Sequence, residues 1–273
     1  MEPTTQLHRT GERLQAATAQ LHEEGWCVVP DVLSREEAAG VLERLWAAAE
    51  AFRRRGRETH LAQLDPNAAN VRVFDLLDLD PVFRGLIRKP LALDLVRELL
   101  GAEFIVSNFT ANIARPGSGS MNLHSDQALV VPEPWLEAWS INVIWCLTDA
   151  TFENGATLFI PGSHKVERLA ELGPDAAARL RPFEAKAGSI VAMDGRIWHT
   201  SGANVTTDQD RALMFAYYTR SFLRQQVNWN VALSPEVQQE LDPELRGLLG
   251  LEATANTGLG AKLLAANVGR RTG

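Results

Sequence analysis

Met121-Asn122-Leu123-His124-Ser125-Asp126-Gln127, answered downstream by Gly195-Arg196-Ile197-Trp198-His199 and then by Arg211, is the pattern on which the reading of this chain turns. In an extended strand, side chains at i and i+2 leave on the same face. His124 and Asp126 therefore present an imidazole and a carboxylate to one point, while Ser125 turns away. His199 follows the apolar run Ile190-Val191-Ala192-Met193 and precedes a polar loop, so it adds a second imidazole from the rim of a distant strand.

Two imidazoles and one carboxylate on one face of a metal, with other positions open, suit non-heme Fe(II) that must still bind a co-substrate and O2. Zinc takes the same donors in hydrolytic sites. Arg211 tilts the choice toward iron. It heads the alternation Arg211, Leu213, Phe215, Tyr217, which sets its guanidinium on an inward, apolar face. An arginine there is costly unless paired, and its planar fork matches a co-substrate carboxylate. The competing assignment is an internal ion pair with an Asp or Glu.

Outward from these residues the pattern is β. Strand-like runs at 104–114, 121–131, 139–148, 156–160, 181–186, 189–193 and 211–221 are separated by Gly, Pro, Asn or Asp turns. Seven or eight short strands predict a mainly β fold whose core, about 103–223, is a double-stranded β-helix, or jelly roll. Flanking α-helices are predicted on both sides. On the N-terminal side, about 10–100, a first helix ends near Gly25 and a short strand covers 26–30. Ser34-Arg35-Glu36-Glu37 has the form of a capping box opening a helix to about Arg55. Asp80-Pro81 opens two short helices reaching Leu100. On the C-terminal side, 224–273, Ser234-Pro235 and Asp242-Pro243 cap two more, and the tail from Glu252 reads as mobile. The whole chain, 1–273, reads as one domain.

Composition excludes several classes. A net charge of −7 argues against nucleic acid or an anionic membrane as partner, since those call for a basic face. The one basic cluster, Arg53-Arg54-Arg55-Gly56-Arg57, suits a solvated helix C-terminus. Cys27 and Cys146 are the only cysteines and fall in apolar runs, which predicts two buried thiols in a reducing compartment. The N-terminus lacks the order of a signal peptide, and no apolar run approaches the ~20 residues of a membrane span. The expectation is a cytoplasmic protein; nothing in the sequence sets its oligomeric state.

Four blocks carry a family resemblance: 121–127, Asn142-Val143-Ile144-Trp145, Glu153-Asn154-Gly155-Ala156-Thr157-Leu158-Phe159-Ile160-Pro161-Gly162-Ser163-His164, and Trp198-His199-Thr200-Ser201-Gly202. In this order, across roughly residues 25–224, they resemble the phytanoyl-CoA dioxygenase family of Fe(II)/2-oxoglutarate-dependent oxygenases. The resemblance implies Fe(II) on His124, Asp126 and His199, 2-oxoglutarate as co-substrate with Arg211 on its far carboxylate, and O2. It further implies co-substrate contacts from Ser201 and Trp145, with Asn112 and Thr157 as weaker candidates. Met121 stands where some relatives carry glutamine, which leaves Gln127 as the substitute. His164 is a family landmark expected outside the metal's ligands.

The implied activity is oxidation of a C–H bond with release of succinate and CO2. Because halogenating members of the wider class carry a small residue at the position of Asp126, the resemblance favours hydroxylation or a related oxidation (desaturation, epoxidation or ring rearrangement) over halogenation. The substrate expected is a small, mostly apolar molecule of secondary metabolism, lined or capped by Trp135, Trp139, Phe222 and Trp229, under a lid formed by segments 56–70 and 224–233. Two other classes fit more loosely: a non-catalytic jelly-roll binding module, and a cupin-type metalloenzyme that does not use 2-oxoglutarate.

Overall fold

The computed structural model describes residues 3–130 and 133–251; the tail from Glu252 lies outside the described residues. Among the described residues, ten strands form two antiparallel sheets. The strands are β1 (Trp26–Val29), β2 (Asn70–Val73), β3 (Phe104–Ala114), β4 (His124–Ser125), β5 (Ser140–Cys146), β6 (Thr157–Phe159), β7 (Arg181–Pro182), β8 (Ile190–Asp194), β9 (Trp198–Ser201) and β10 (Arg211–Arg220). The larger sheet runs β1-β8-β5-β10-β3-β2 and the smaller β4-β9-β6-β7. Apolar side chains of both sheets, among them Ile144, Val191, Leu213 and Phe159, pack into a shared cluster. This is the predicted jelly roll.

Period-2 alternation divides the larger sheet cleanly. On β10 the odd positions run inward as the sequence implied: Leu213 joins the cluster between the sheets, and Arg211, Phe215 and Tyr217 line a cavity. The even positions Ala212, Met214, Ala216 and Tyr218 face outward into a second apolar cluster. Helices cover that outer face, chiefly α1 (Pro3–Glu24), α2 (Arg35–Arg54) and, after the short α3 (Leu76–Leu79) and α4 (Pro81–Leu86), α5 (Pro90–Leu100). C-terminal to the core, α6 (Trp229–Ala232), α7 (Pro235–Glu240) and α8 (Pro243–Leu248) complete the layer.

Local signals explain where the helices begin. Ser34 accepts from the Glu37 amide and Glu37 reaches back to the Ser34 amide, closing the capping box that starts α2. Asp80, Ser234 and Asp242 each cap a helix whose first residue is proline. Gly188, at φ +87, lies so close to the Leu33 carbonyl that a Cβ there would sit 2.2 Å from it. Cys27 and Cys146 are free and buried, and burial pushes both thiols up to about 12.

The structure departs from the sequence reading in three places. The run expected at 121–131 pairs as a strand only at His124–Ser125, then tightens into a 3-10 turn from Asp126 to Leu129. Two short strands went unread, β2 at the end of a polar stretch and β9 around His199. Most consequentially, the two segments expected to form a lid are tied down. Asp65 is fully buried in the first, and Trp229 in the second is 2% exposed, its indole N–H donating to the Val106 carbonyl at 2.8 Å. Trp229 sits in the apolar cluster beneath the helices because its ring fills the outer face of β3. Trp229→Ala is therefore expected to destabilise the fold by about 3–5 kcal/mol, read by denaturant titration.

Candidate metal centre

The smaller sheet is what brings the two histidines together. β4 pairs with β9 in a register that sets His124 directly opposite His199, and their rings lie with centroids 4.3 Å apart. Asp126, the first residue of the 3-10 turn, swings its carboxylate into the same space. Its Oδ1 is 3.9 Å from His124 Nε2 and 3.8 Å from His199 Nε2. Potential ligand atoms of the three residues all lie within 4.8 Å of one another, and no other such cluster of His, Cys, Asp and Glu occurs among the described residues.

Each ligand atom is aimed by a bond made elsewhere. His124 Nδ1 lies 2.8 Å from the Asn122 carbonyl and His199 Nδ1 3.0 Å from the Ile197 carbonyl. A carbonyl only accepts, so Nδ1 carries the hydrogen in both rings and each Nε2 keeps its lone pair for the centre. Burial holds His199 below its ordinary range, against the opposing pull of Asp126, which favours the neutral, ligating form. Asp126 Oδ2 accepts from Asn142 Nδ2 at 3.0 Å, leaving Oδ1 directed at the histidines. The Tyr217 hydroxyl donates to the Asp126 backbone carbonyl at 3.1 Å. Two imidazole nitrogens and one carboxylate oxygen, converging with no fourth protein donor, fit a divalent metal with open positions.

The triad lines a cavity of about 720 Å³, counting its open mouth. Arg211 lines it too, 1% exposed, and donates through Nε to the Gly155 carbonyl and through Nη1 to the Asn112 carbonyl. No described carboxylate pairs with it, so the ion pair weighed from sequence does not form. Burial, and then the like charge of Arg72, push its guanidinium down to about 10, still well above neutral. Beside it the Asn112 Nδ2 is buried without a partner. A buried cation and an unsatisfied amide on one cavity wall are what an absent carboxylate would complete.

Ser201, Thr157 and Asn112 reach the cavity as the resemblance implied, although Ser201 Oγ already accepts from the Met121 amide at 3.0 Å. Trp145 and Gln127 do not. Trp145 faces outward on β5, in register with Met214, fully buried against the helical layer, because odd positions of that strand point to the helices. Gln127 spends both ends of its amide on backbone, donating to the Glu137 carbonyl and accepting from the Trp139 amide. It staples a loop and has nothing left for a co-substrate. His164 is buried against Gly25, away from the triad. Nor do Trp135, Trp139, Phe222 and Trp229 line the cavity.

The residue that sequence reasoning missed is Arg72. It lines the cavity from β2, opposite Asn112 on β3, with Nε and Nη2 on the two carboxylate oxygens of Asp65 at 3.1 and 2.6 Å. Period-2 spacing in Asn70-Val71-Arg72-Val73 was the available signal, hidden by the polar stretch before it.

A jelly roll that carries His, Asp and His at its open end, with an unpaired buried arginine on the same wall, has the layout of the 2-oxoglutarate-dependent oxygenases. Comparison with known proteins agrees. Residues 21–212 match the phytanoyl-CoA dioxygenase (PhyH) family model, and the chain belongs to that family. It is 53% identical over 238 residues to dioxygenase af480 of Aspergillus fumigatus, spanning 87% of this chain and 77% of that protein. Two solved structures share the fold. The non-heme alpha ketoglutarate dependent carbocyclase SnoK from nogalamycin biosynthesis superposes with a TM-score of 0.63 at 24% identity, covering 84% of this chain and 91% of its own. HygX from Streptomyces hygroscopicus, with nickel and 2-oxoglutarate bound, gives 0.63 at 17% identity, covering 77% and 89%. The protein is thus an Fe(II)/2-oxoglutarate-dependent dioxygenase. No described helix is long and apolar enough to cross a membrane.

Two outcomes follow from the supports of the site. Asn142→Leu frees Asp126 Oδ2, and is expected to weaken divalent-metal affinity by about 10–100-fold in a metal titration. Asp65→Ala strands Arg72 without its counter-charge, with an expected loss of about 3–5 kcal/mol in equilibrium unfolding.

Proposed function

We propose that His124, Asp126 and His199 hold the catalytic Fe(II), that Arg211 anchors the far carboxylate of 2-oxoglutarate, and that the reaction is hydroxylation of a small organic molecule. The observation that carries this reading is Arg211: a fully buried cation with only backbone carbonyls for partners, in the same cavity as the triad. Neither a binding module nor a metalloenzyme without 2-oxoglutarate accounts for that cost.

When bound, Fe(II), 2-oxoglutarate and O2 supply the oxidising chemistry, with succinate and CO2 released and one oxygen atom reaching the substrate. The protein's own residues do the rest. The Asn122 and Ile197 carbonyls keep both histidines in the ligating tautomer. Asn142 fixes which Asp126 oxygen faces the centre. Arg211, held at Nε and Nη1, presents the remainder of its fork to the cavity, and Asn112, Thr157 and Ser201 complete that wall. The carboxylate at position 126 supports hydroxylation over halogenation. SnoK and the nickel-bound HygX, the latter also known with hygromycin B bound, belong to natural-product chemistry, which supports a small-molecule substrate of that kind.

His124→Ala, Asp126→Ala and His199→Ala are each expected to abolish Fe(II)-dependent succinate formation with the fold retained by circular dichroism, whereas His164→Ala keeps it. Activity in the first three, or its loss in a folded His164→Ala, contradicts the ligand assignment. Arg211→Leu is expected to raise the 2-oxoglutarate requirement steeply while metal binding persists. In wild type, 2-oxoglutarate with a non-oxidising divalent metal is expected to stabilise by ~2.7 kcal/mol at a hundredfold excess over its Kd; absence of any metal-dependent shift in melting temperature rejects the co-substrate reading.

A further inference from the structure

The cavity that holds the triad does not end at its own mouth. It meets a shallow surface groove at Tyr217 and Gln226, which line both. The groove is floored by Leu129, Val130 and Leu223. Single exposed apolar side chains need no explanation, but these arrive from two different segments of chain. Leu129, 70% exposed, closes the same 3-10 turn that Asp126 opens. Leu223 comes from the segment that follows β10. The turn that positions a candidate metal ligand therefore also positions one wall of the groove.

Where the two spaces join, the wall is polar. Asn108 Nδ2 donates to Gln226 Oε1 at 2.9 Å, while Asn108 Oδ1 is buried with no donor. A buried acceptor left unpaired is costly, and a hydroxyl hydrogen arriving with a ligand removes that cost. We infer that the substrate is an amphipathic alcohol, with a hydroxyl group donating to Asn108 beside the metal triad and an apolar portion running outward over Leu129, Val130 and Leu223. This rests on the reading of the triad as the reaction centre. It replaces the expectation of a pocket lined by Trp135, Trp139, Phe222 and Trp229: the reacting end meets amides, and the remote end meets aliphatic side chains. Continuity with the cavity selects a substrate tail as the occupant over a second copy of the chain.

The test is calorimetric titration of the protein, loaded with Mn(II) and 2-oxoglutarate and also metal-free, with 1-hexanol, 1-octanol, 1-decanol and octyl methyl ether. Through the alcohols, Kd is expected to fall roughly fourfold per added methylene that is buried. The ether, which has no hydrogen to donate, is expected to bind about tenfold more weakly than an alcohol of similar length. Leu129→Asp and Leu223→Asp should each flatten the length dependence, and Asn108→Leu should erase the preference for alcohol over ether. Affinity independent of chain length, equal binding of alcohol and ether, or a length dependence that survives in both Asp variants overturns the inference. So does a dimer in sedimentation that Leu129→Asp dissociates. Failure of Mn(II) and 2-oxoglutarate to bind, with the alcohol pattern intact in the metal-free protein, would instead reject the reading of the triad.

Discussion

The pairing of a two-residue strand with β9 is the constraint on which the site depends. Only His124 and Ser125 of the 121–131 run enter the sheet, yet their register sets His124 opposite His199. A slip of one residue would turn both side chains to the opposite face. So short a pairing cannot hold itself. It is held by Ser125 Oγ, which donates to the Gly195 carbonyl at 2.8 Å, and by the Gln127 backbone N–H, which donates to the same carbonyl at 2.7 Å. Gly195 in turn packs so tightly on Ser140 that a Cβ there would meet its Oγ at 1.9 Å. The larger sheet thus clamps the turn through β5, and Gln127 serves the site as part of that clamp.

The larger sheet, which clamps that turn, separates two incompatible environments. Outward positions of β5 and β10 bury tryptophan, methionine and tyrosine under the helices, while inward positions near the open end carry Asn142, Arg211 and Tyr217. This explains why Trp145, three residues beyond the cavity-lining Asn142 and so on the opposite face of β5, has no access to the cavity. It also explains the cost carried inside. Asn108, Asn112 and Asn142 each keep a buried amide atom without a partner, an arrangement unfavourable for folding alone and the kind of local inconsistency that marks a site built for ligands.

Legibility from sequence followed the length scale of each signal. The capping box at Ser34, the Asp-Pro and Ser-Pro helix starts and the alternation on β10 are local patterns with one dominant physical cause, and they appear where expected. His124, Asp126, His199 and Arg211 were legible because their chemistry is expensive anywhere else. What escaped depends on tertiary contact. Nothing local in Trp229 distinguishes a lid residue from one whose ring covers the outer face of β3. Gln127 reads as a free amide until the loop at 137–139 is seen to consume both its ends. Arg72 lies after a polar stretch that reads as loop, and its importance arises from Asn112 beside it and Asp65 beneath it.

The electrostatics of the cavity give the assignment of Arg72 its physical sense. Two guanidiniums on one cavity wall raise each other's cost, and Arg211 is held down first by its burial and then by the like charge of Arg72. Asp65 removes half of the problem: its carboxylate, wholly buried, accepts two N–H groups from Arg72 and a third from the Leu61 amide. Arg72 is thereby paired with a counter-charge while its Nη2 remains near Met121 at the cavity wall. Arg211 stays uncompensated. Had Asp65 been absent, the wall would carry two free cations and would draw anions indiscriminately; had a second carboxylate been present, Arg211 would be quenched. Among the described residues that line the wall, Arg211 instead keeps a positive charge without a carboxylate partner at a fixed place, an arrangement that suits a carboxylate delivered in one orientation.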